Sequence, residues 1–202
     1  MALTITFITG NPNKVRAVLE HTEPFGVQVI HKALPLVEPQ ADTLEDVALS
    51  KARQAYQLCG EPVLVEDGGF CIDELSSFPG PYTKYILQTI GAQGLLNLSR
   101  DLPLRMCHFR SVMVYMDERE EAHIFVDDRG VGTLAREIDL TSCPQVWSEL
   151  WRIFIPAGAS RPLTALSAEE RGALLLQWQR DSVYTRFGAW YGKQHVRGGG
   201  AE

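Results

Sequence analysis

Pro62-Val63-Leu64-Val65 is an almost unbroken apolar run that ends at Glu66-Asp67-Gly68-Gly69. A strand without polar alternation is buried on both faces, so a chain carrying one must cover both sides of a sheet, usually with helices. The flanking patterns supply them. Leu3 to Thr9 alternates with period 2, stops at Gly10-Asn11-Pro12, and gives way to helical spacing at Val15, Val18 and Leu19. A short strand at Val27–His31 and a proline-containing loop from Leu34 to Asp42 lead to a helix over about Thr43–Leu58. Leu44, Val47, Ala48, Ala55 and Leu58 mark its apolar face, and Thr43-x-x-Asp46 resembles a capping box.

Beyond the apolar run the pattern predicts a sharp turn at Asp67-Gly68-Gly69, a short strand at Phe70–Ile72 and a break at Pro79-Gly80-Pro81. Helical spacing returns at Tyr85, Ile86, Leu87 and Ile90, and after Gly91 at Leu95, Leu96 and Leu98. Met106–Met116 reads as a long strand paired with Ala122–Val126 across Asp117–Glu121, whose charges suit a solvated hairpin tip. Gly130–Ala135 adds a strand, Trp147–Ile155 is apolar and aromatic, Ser167–Trp178 reads as a helix, and a frayed tail is expected from about residue 193. No repeat, low-complexity linker or compositional break divides the 202 residues, which are read as a single domain over 1–202.

Charge narrows the range of partners. Nineteen Lys and Arg against 25 Asp and Glu give a net charge of −6, with a pI near 5.4, which argues against a nucleic-acid backbone as the main partner. A hydrophobic fraction of 45% and a mean hydropathy of −0.08 fit an ordinary soluble protein. No apolar run approaches the ~20 residues of a spanning helix. The amino terminus lacks a secretory signature, so a cytoplasmic location is expected. Cys59, Cys71, Cys107 and Cys143 are too irregularly spaced for a zinc site and are read as free thiols.

Three segments can carry chemistry. Thr9-Gly10-Asn11-Pro12-Asn13-Lys14 lies at a strand-to-helix junction, where free N–H groups, the helix dipole and a lysine suit a polyphosphate. Equally, Asn11 there is an N-cap and Pro12 a first-turn proline. Glu66-Asp67 at a strand end suits a hard cation and an activated water, while Asp67-Gly68 also suits a hairpin turn. Pro79-Gly80-Pro81-Tyr82-Thr83-Lys84 feeds a helix whose Lys84 is either a phosphate contact or an exposed surface charge. Upstream of the long helix, Glu38, Asp42, Glu45 and Asp46 supply acids, one of which can complete a metal site.

Taken in order, Phe7-Ile8-Thr9-Gly10-Asn11-x-x-Lys14, Val63-Leu64-Val65-Glu66-Asp67-Gly68-Gly69-Phe70-Cys71 and Phe78-Pro79-Gly80-Pro81-Tyr82-Thr83-Lys84-Tyr85 resemble the inosine triphosphate pyrophosphatase family. That family hydrolyses deaminated purine nucleoside triphosphates to the monophosphate and pyrophosphate. The resemblance is carried by residues 3–98 and extends through Gly130-Val131-Gly132-Thr133-Leu134. It implies an α/β fold with a long twisted mixed sheet flanked by helices, two lobes around a central cleft, and a homodimer. It further implies that Thr9, Asn11, Lys14, Lys51 and Lys84 bind the triphosphate and that Asp67 is the catalytic carboxylate. Mg²⁺, or Mn²⁺ in its place, would be held by Glu38, Glu66 and Asp67. Glu38 is one residue out of register when counted back from Lys51, and Glu45 is the second candidate for its place.

The carboxy-terminal half departs from the family. Trp147-Ser148-Glu149-Leu150-Trp151-Arg152-Ile153-Phe154 stands where the family has Gly-Phe-Gly-(Trp/Tyr)-Asp-Pro before a Phe, and Tyr184-Thr185-Arg186 replaces a Ser-His-Arg. Arg186 and Tyr184 are therefore the expected base-side residues. Trp147, Trp151, Trp178 and Tyr184 are aromatic candidates either for stacking a base or for the core. Loss of base-reading polar groups shifts base preference. The resemblance thus admits three activities: a pyrophosphohydrolase of noncanonical purine nucleotides, the same chemistry on another base, or a nucleotide sensor without efficient turnover.

Overall fold

A computed structural model describes residues 3–144 and 146–196. Seven strands form one sheet in the order β2-β1-β3-β5-β6-β7, with β4 paired to β3. They are β1 (Leu3–Ile8), β2 (Val27–Lys32), β3 (Val63–Ile72), β4 (Phe78–Gly80), β5 (Met106–Met116), β6 (Ala122–Leu134) and β7 (Phe154–Pro156). The helices are α1 (Pro12–Thr22), α2 (Leu44–Cys59), α3 (Thr83–Thr89), α4 (Gly91–Leu98), α5 (Ala168–Gln179) and α6 (Val183–Val196). Mixed pairing follows from the connections: β1 runs parallel to both β2 and β3, whereas β4 runs antiparallel to β3 and β7 antiparallel to β6. Of the tail expected from residue 193, residues 193–196 form the end of α6, and 197–202 lie outside the described residues.

The chain gathers into two compact units, one of Met1–Asp67, Ser111–Asp127 and Arg180–Glu202, the other of Gly68–Arg110 and Asp128–Gln179. In the first, the doubly buried run behaves as its composition requires. Leu64 packs with Phe7, Val18, Met113, Tyr184, Phe187 and Tyr191 from the α1 and α6 side. Val63 and Val65 face the opposite way, into Leu44, Ala48, Ala52 and Ala55 of α2. Period 2 thus assigns successive residues of β3 to alternate helical layers.

Local chemistry sets the helix ends. Asn11 is extended and accepts a hydrogen bond from Asn13 N, with Pro12 in the first turn of α1. Thr43 accepts from Asp46 N, one half of the expected box, while Asp46 Oδ2 takes the Thr43 hydroxyl. Gly60, in the left-handed region at φ 65°, closes α2 by donating to Tyr56 O.

In the second unit Phe70 and Ile72 pack with Leu95, Leu96, Leu150, Trp151, Ile153 and Phe154. Buried Arg105 ties that core together, donating to Leu134 O, Ser99 O and Ala135 O.

Two expectations are corrected. No turn forms at Asp67-Gly68-Gly69: β3 runs unbroken for 10 residues through both glycines. Its far end is held by β4, which pairs Phe70 with Gly80 and Ile72 with Phe78. The reversal falls later, in the 3₁₀ turn Asp73–Leu75 and at Ser76 and Ser77, both at positive φ. Similarly, Gly130–Ala135 is no separate strand. Gly130 takes φ 61° within β6, where a Cβ would lie 2.9 Å from the Phe109 ring, and the strand continues to Leu134.

Candidate active site

Because β3 does not turn, its alternation carries into the two acids. Glu66 shares a face with Leu64 and meets α1, whereas Asp67 shares a face with Val65 and meets α2. Each finds a lysine there. Lys14 Nζ, in the first turn of α1, lies 2.8 Å from Glu66 Oε2 and donates to the Glu66 backbone carbonyl at 3.0 Å. Lys51 Nζ, in mid-α2, donates to Asp67 Oδ2 at 3.1 Å and to Glu38 Oε1 at 3.2 Å. Five residues from four separate segments thus form one charged cluster of three carboxylates and two ammoniums, all within the first unit.

Glu38 reaches the cluster through a residue not anticipated from sequence. Gln54 donates from Nε2 to Val37 O and accepts at Oε1 from Val37 N, both at 2.9 Å. That clamp fixes the backbone just before Glu38 against α2. The available signal was spacing, since Gln54 lies one helical turn beyond Lys51. Glu45 instead occupies the first turn of α2 beside the Thr43 cap.

The Thr9–Asn13 loop is shaped by its own side chains. Thr9 Oγ1 accepts from Asn11 N at 3.1 Å, and the Thr9 carbonyl meets His31 Nε2 at 2.7 Å. A Cβ at Gly10 would find nothing within 4 Å, leaving open space over the loop.

Electrostatically, Lys14 is the best defined member. Burial alone lowers an ammonium's pKa, but Glu66, Asp67 and Glu38 outweigh it and hold Lys14 above the ordinary lysine value. Glu66 is 3% exposed at its side chain, and Oε2 has no well-aligned hydrogen bond among the described residues, only the charge of Lys14. A buried carboxylate oxygen so placed, with Glu38 and Asp67 oxygens converging on one cationic nitrogen, fits a hard divalent cation. Glu38, Glu66 and Asp67 are the residues that would hold it.

The remaining expected residues lie elsewhere. Lys84 is exposed on the first turn of α3 in the second unit. Arg186 donates through Nε to Asp181 Oδ1 at 2.8 Å, through Nη2 to Asp181 Oδ2 and through Nη1 to Val126 O at 2.6 Å. Among the described residues one N–H on each terminal nitrogen is left over. Tyr184 is 3% exposed among Phe7, Val18 and Phe187, with its ring edge-on to His21, so it offers no open face for stacking. Trp151 is likewise core and Trp178 packs on Phe109 and Phe154, while Trp147 is half exposed.

A second carboxylate and histidine cluster, Asp117, Glu121 and His123, lies at the hairpin tip. Asp117 is already engaged there by Arg119 N, Glu121 N and His123.

Residues 5–174 match the Ham1 family. The chain is 36% identical over 174 residues to a dITP/XTP pyrophosphatase of Thermococcus kodakarensis, covering 85% of this chain and 90% of the relative. It is 31% identical over 196 residues to a dITP/XTP pyrophosphatase of Methanopyrus kandleri, 97% and 100% of the two chains. An inosine triphosphate pyrophosphatase of Podospora anserina is 48% identical over 94 residues, 46% of this chain and 49% of that protein. Among solved structures, a HAM1 protein from Coxiella burnetii superimposes with a TM-score of 0.76 at 22% identity, covering 93% of this chain and 97% of the other. At that identity the likeness is one of fold.

Proposed function

Since this chain belongs to the Ham1 family, we propose that the cluster at the end of β3 is the catalytic centre of a nucleoside triphosphate pyrophosphatase acting on dITP- and XTP-type nucleotides. The observation that carries the reading is the convergence of Lys14 and Lys51 on Glu66, Asp67 and Glu38 beside an open helix N-terminus. Cations for a polyphosphate and carboxylates for water and metal occur together there.

In this reading the backbone N–H groups at the start of α1, with Thr9 and Asn11, cradle phosphate oxygens, and Lys14 and Lys51 neutralise the charge that grows on the departing pyrophosphate. Asp67 orients a water for in-line attack on the α-phosphorus and takes its proton as the bond to the α,β-bridging oxygen breaks. Glu38, Glu66 and Asp67 would hold Mg²⁺, which would supply Lewis-acid stabilisation of phosphate charge. The two unspent N–H groups of Arg186 are the donors for the base. A cytoplasmic homodimer goes with the same resemblance.

Asp67→Asn tests the reading through pyrophosphate release with Mg²⁺ from dITP, XTP, ATP, GTP, CTP and UTP. The expected result is wild-type preference for dITP and XTP and loss of turnover by roughly 10²–10⁴-fold in the variant, with nucleotide affinity within a few-fold of wild type. Unchanged turnover in the variant removes Asp67 from the mechanism. Wild-type binding without release from any nucleotide replaces the enzyme by a sensor.

A further inference from the structure

Lys51 bridges two carboxylates that come from different segments, 3.1 Å from Asp67 Oδ2 and 3.2 Å from Glu38 Oε1. Two oxygens that both lie this close to one nitrogen converge on a single centre. A divalent cation ligated by both acids needs that centre too, and an ammonium and a dication repel each other there. We propose that Lys51 is a built-in competitor for the divalent cation, an internal counter-ion that holds Glu38 and Asp67 together and yields them when a polyphosphate draws its ammonium away. The inference rests on the reading of this cluster as a metal and triphosphate site.

Two further observations support it. The backbone before Glu38 does not depend on Lys51 for its place, because Gln54 clamps Val37 from both sides, so the Glu38 segment stays beside α2, within reach of a cation shared with Asp67, when the ammonium leaves. Lys14, by contrast, is also hydrogen-bonded to the Glu66 backbone carbonyl, which anchors it whatever the Glu66 carboxylate binds. The consequence is linkage: an anion that engages Lys51 raises metal affinity, and the metal raises anion affinity by the same factor. Nucleotide and metal then load together rather than separately.

Mn²⁺ binding without nucleotide, counted by the electron paramagnetic resonance signal of the free ion, tests the proposal. Lys51→Met and Lys51→Gln are expected to bind Mn²⁺ about tenfold more tightly than wild type, within the usual range of coupling between sites. Their melting temperatures should rise more on Mn²⁺ addition than that of wild type. Lys51→Arg, which keeps the charge, should stay at the wild-type affinity. Lys32→Met removes an exposed ammonium paired with Glu61 and controls for net charge. Equal or weaker Mn²⁺ binding in both neutral Lys51 variants overturns the proposal, as does equal tightening by Lys32→Met. Pyrophosphate release by wild type is scored separately. If it occurs while the neutral variants fail to tighten, only the competition is lost; if no nucleotide is hydrolysed, the catalytic reading falls and takes the competition with it.

Discussion

Lys14 keeps its charge one-fifth exposed because three carboxylates repay the solvation that burial removes. A lysine whose folded pKa lies above its unfolded value near 10.5 contributes stability that is complete below the unfolded value and is lost as pH rises through the folded one. Lys14→Met leaves Glu66 buried beside no cation, at a cost of about 3 kcal/mol. The gap in melting temperature between wild type and Lys14→Met should therefore stay constant from neutral pH to about 9 and narrow above the ordinary lysine range. A gap unaffected by alkali would show that Lys14 acts by packing alone.

At this scale the sequence was most legible where function is local. Thr9 through Lys14 and Glu66-Asp67 each lie on one short segment, but the turn expected at Asp67-Gly68-Gly69 hid the alternation that sends the two acids to different helices. Gln54 was not legible, because its role exists only once the 34–42 loop has folded back on α2. For Tyr184 the sequence left stacking and the core both open, and α1 and β1 decide for the core.

Among the elements, β3 shows why adjacent glycines mislead. An Asp-Gly pair permits a turn, but pairing on both sides of a strand overrides local preference, and β4 holds the ladder straight to Ile72. Glycine has a stricter role in β6. A Cβ on Gly132 would lie 2.1 Å from the Ile155 carbonyl and 2.8 Å from the Phe154 ring, so any side chain prises β6 from β7. Gly132→Ala should destabilise by about 1–3 kcal/mol in denaturant titration. Gly172 in α5 has nothing within 4 Å of its Cβ position, and Gly172→Ala should stabilise by roughly 0.5–1 kcal/mol. The same sign for both would show that propensity, and not the close approach of β7, governs Gly132. Periodicity revealed most of the strands and five of the helices; α6, with Gly188 and Gly192 among its aromatics, offered too weak a pattern to be read.

Over the whole molecule, the chain passes between its two units four times, at Asp67–Gly68, Arg110–Ser111, Asp127–Asp128 and Gln179–Arg180. The core of the first unit takes Val183, Tyr184, Phe187 and Tyr191 from α6, all 5% exposed or less. Their burial is together worth on the order of 10 kcal/mol, comparable with the roughly 5–15 kcal/mol that stabilises an entire domain. A chain truncated after Gln179 should accordingly lose its cooperative thermal transition in calorimetry, although every residue of the charged cluster is still present. A sharp transition in the truncated chain would contradict this account of the core.

The order of those crossings also bears on birth. Synthesis runs from β1 toward α6, and domains made early generally fold early. Here β1, the first strand to be made, must wait for α6 before its core can close, whereas every residue of the second unit has been translated by Gln179. The unit that holds the charged cluster is therefore the first to be started and the last to be finished. A nascent chain that stalls before α6 carries every residue of the charged cluster on a core that cannot yet close.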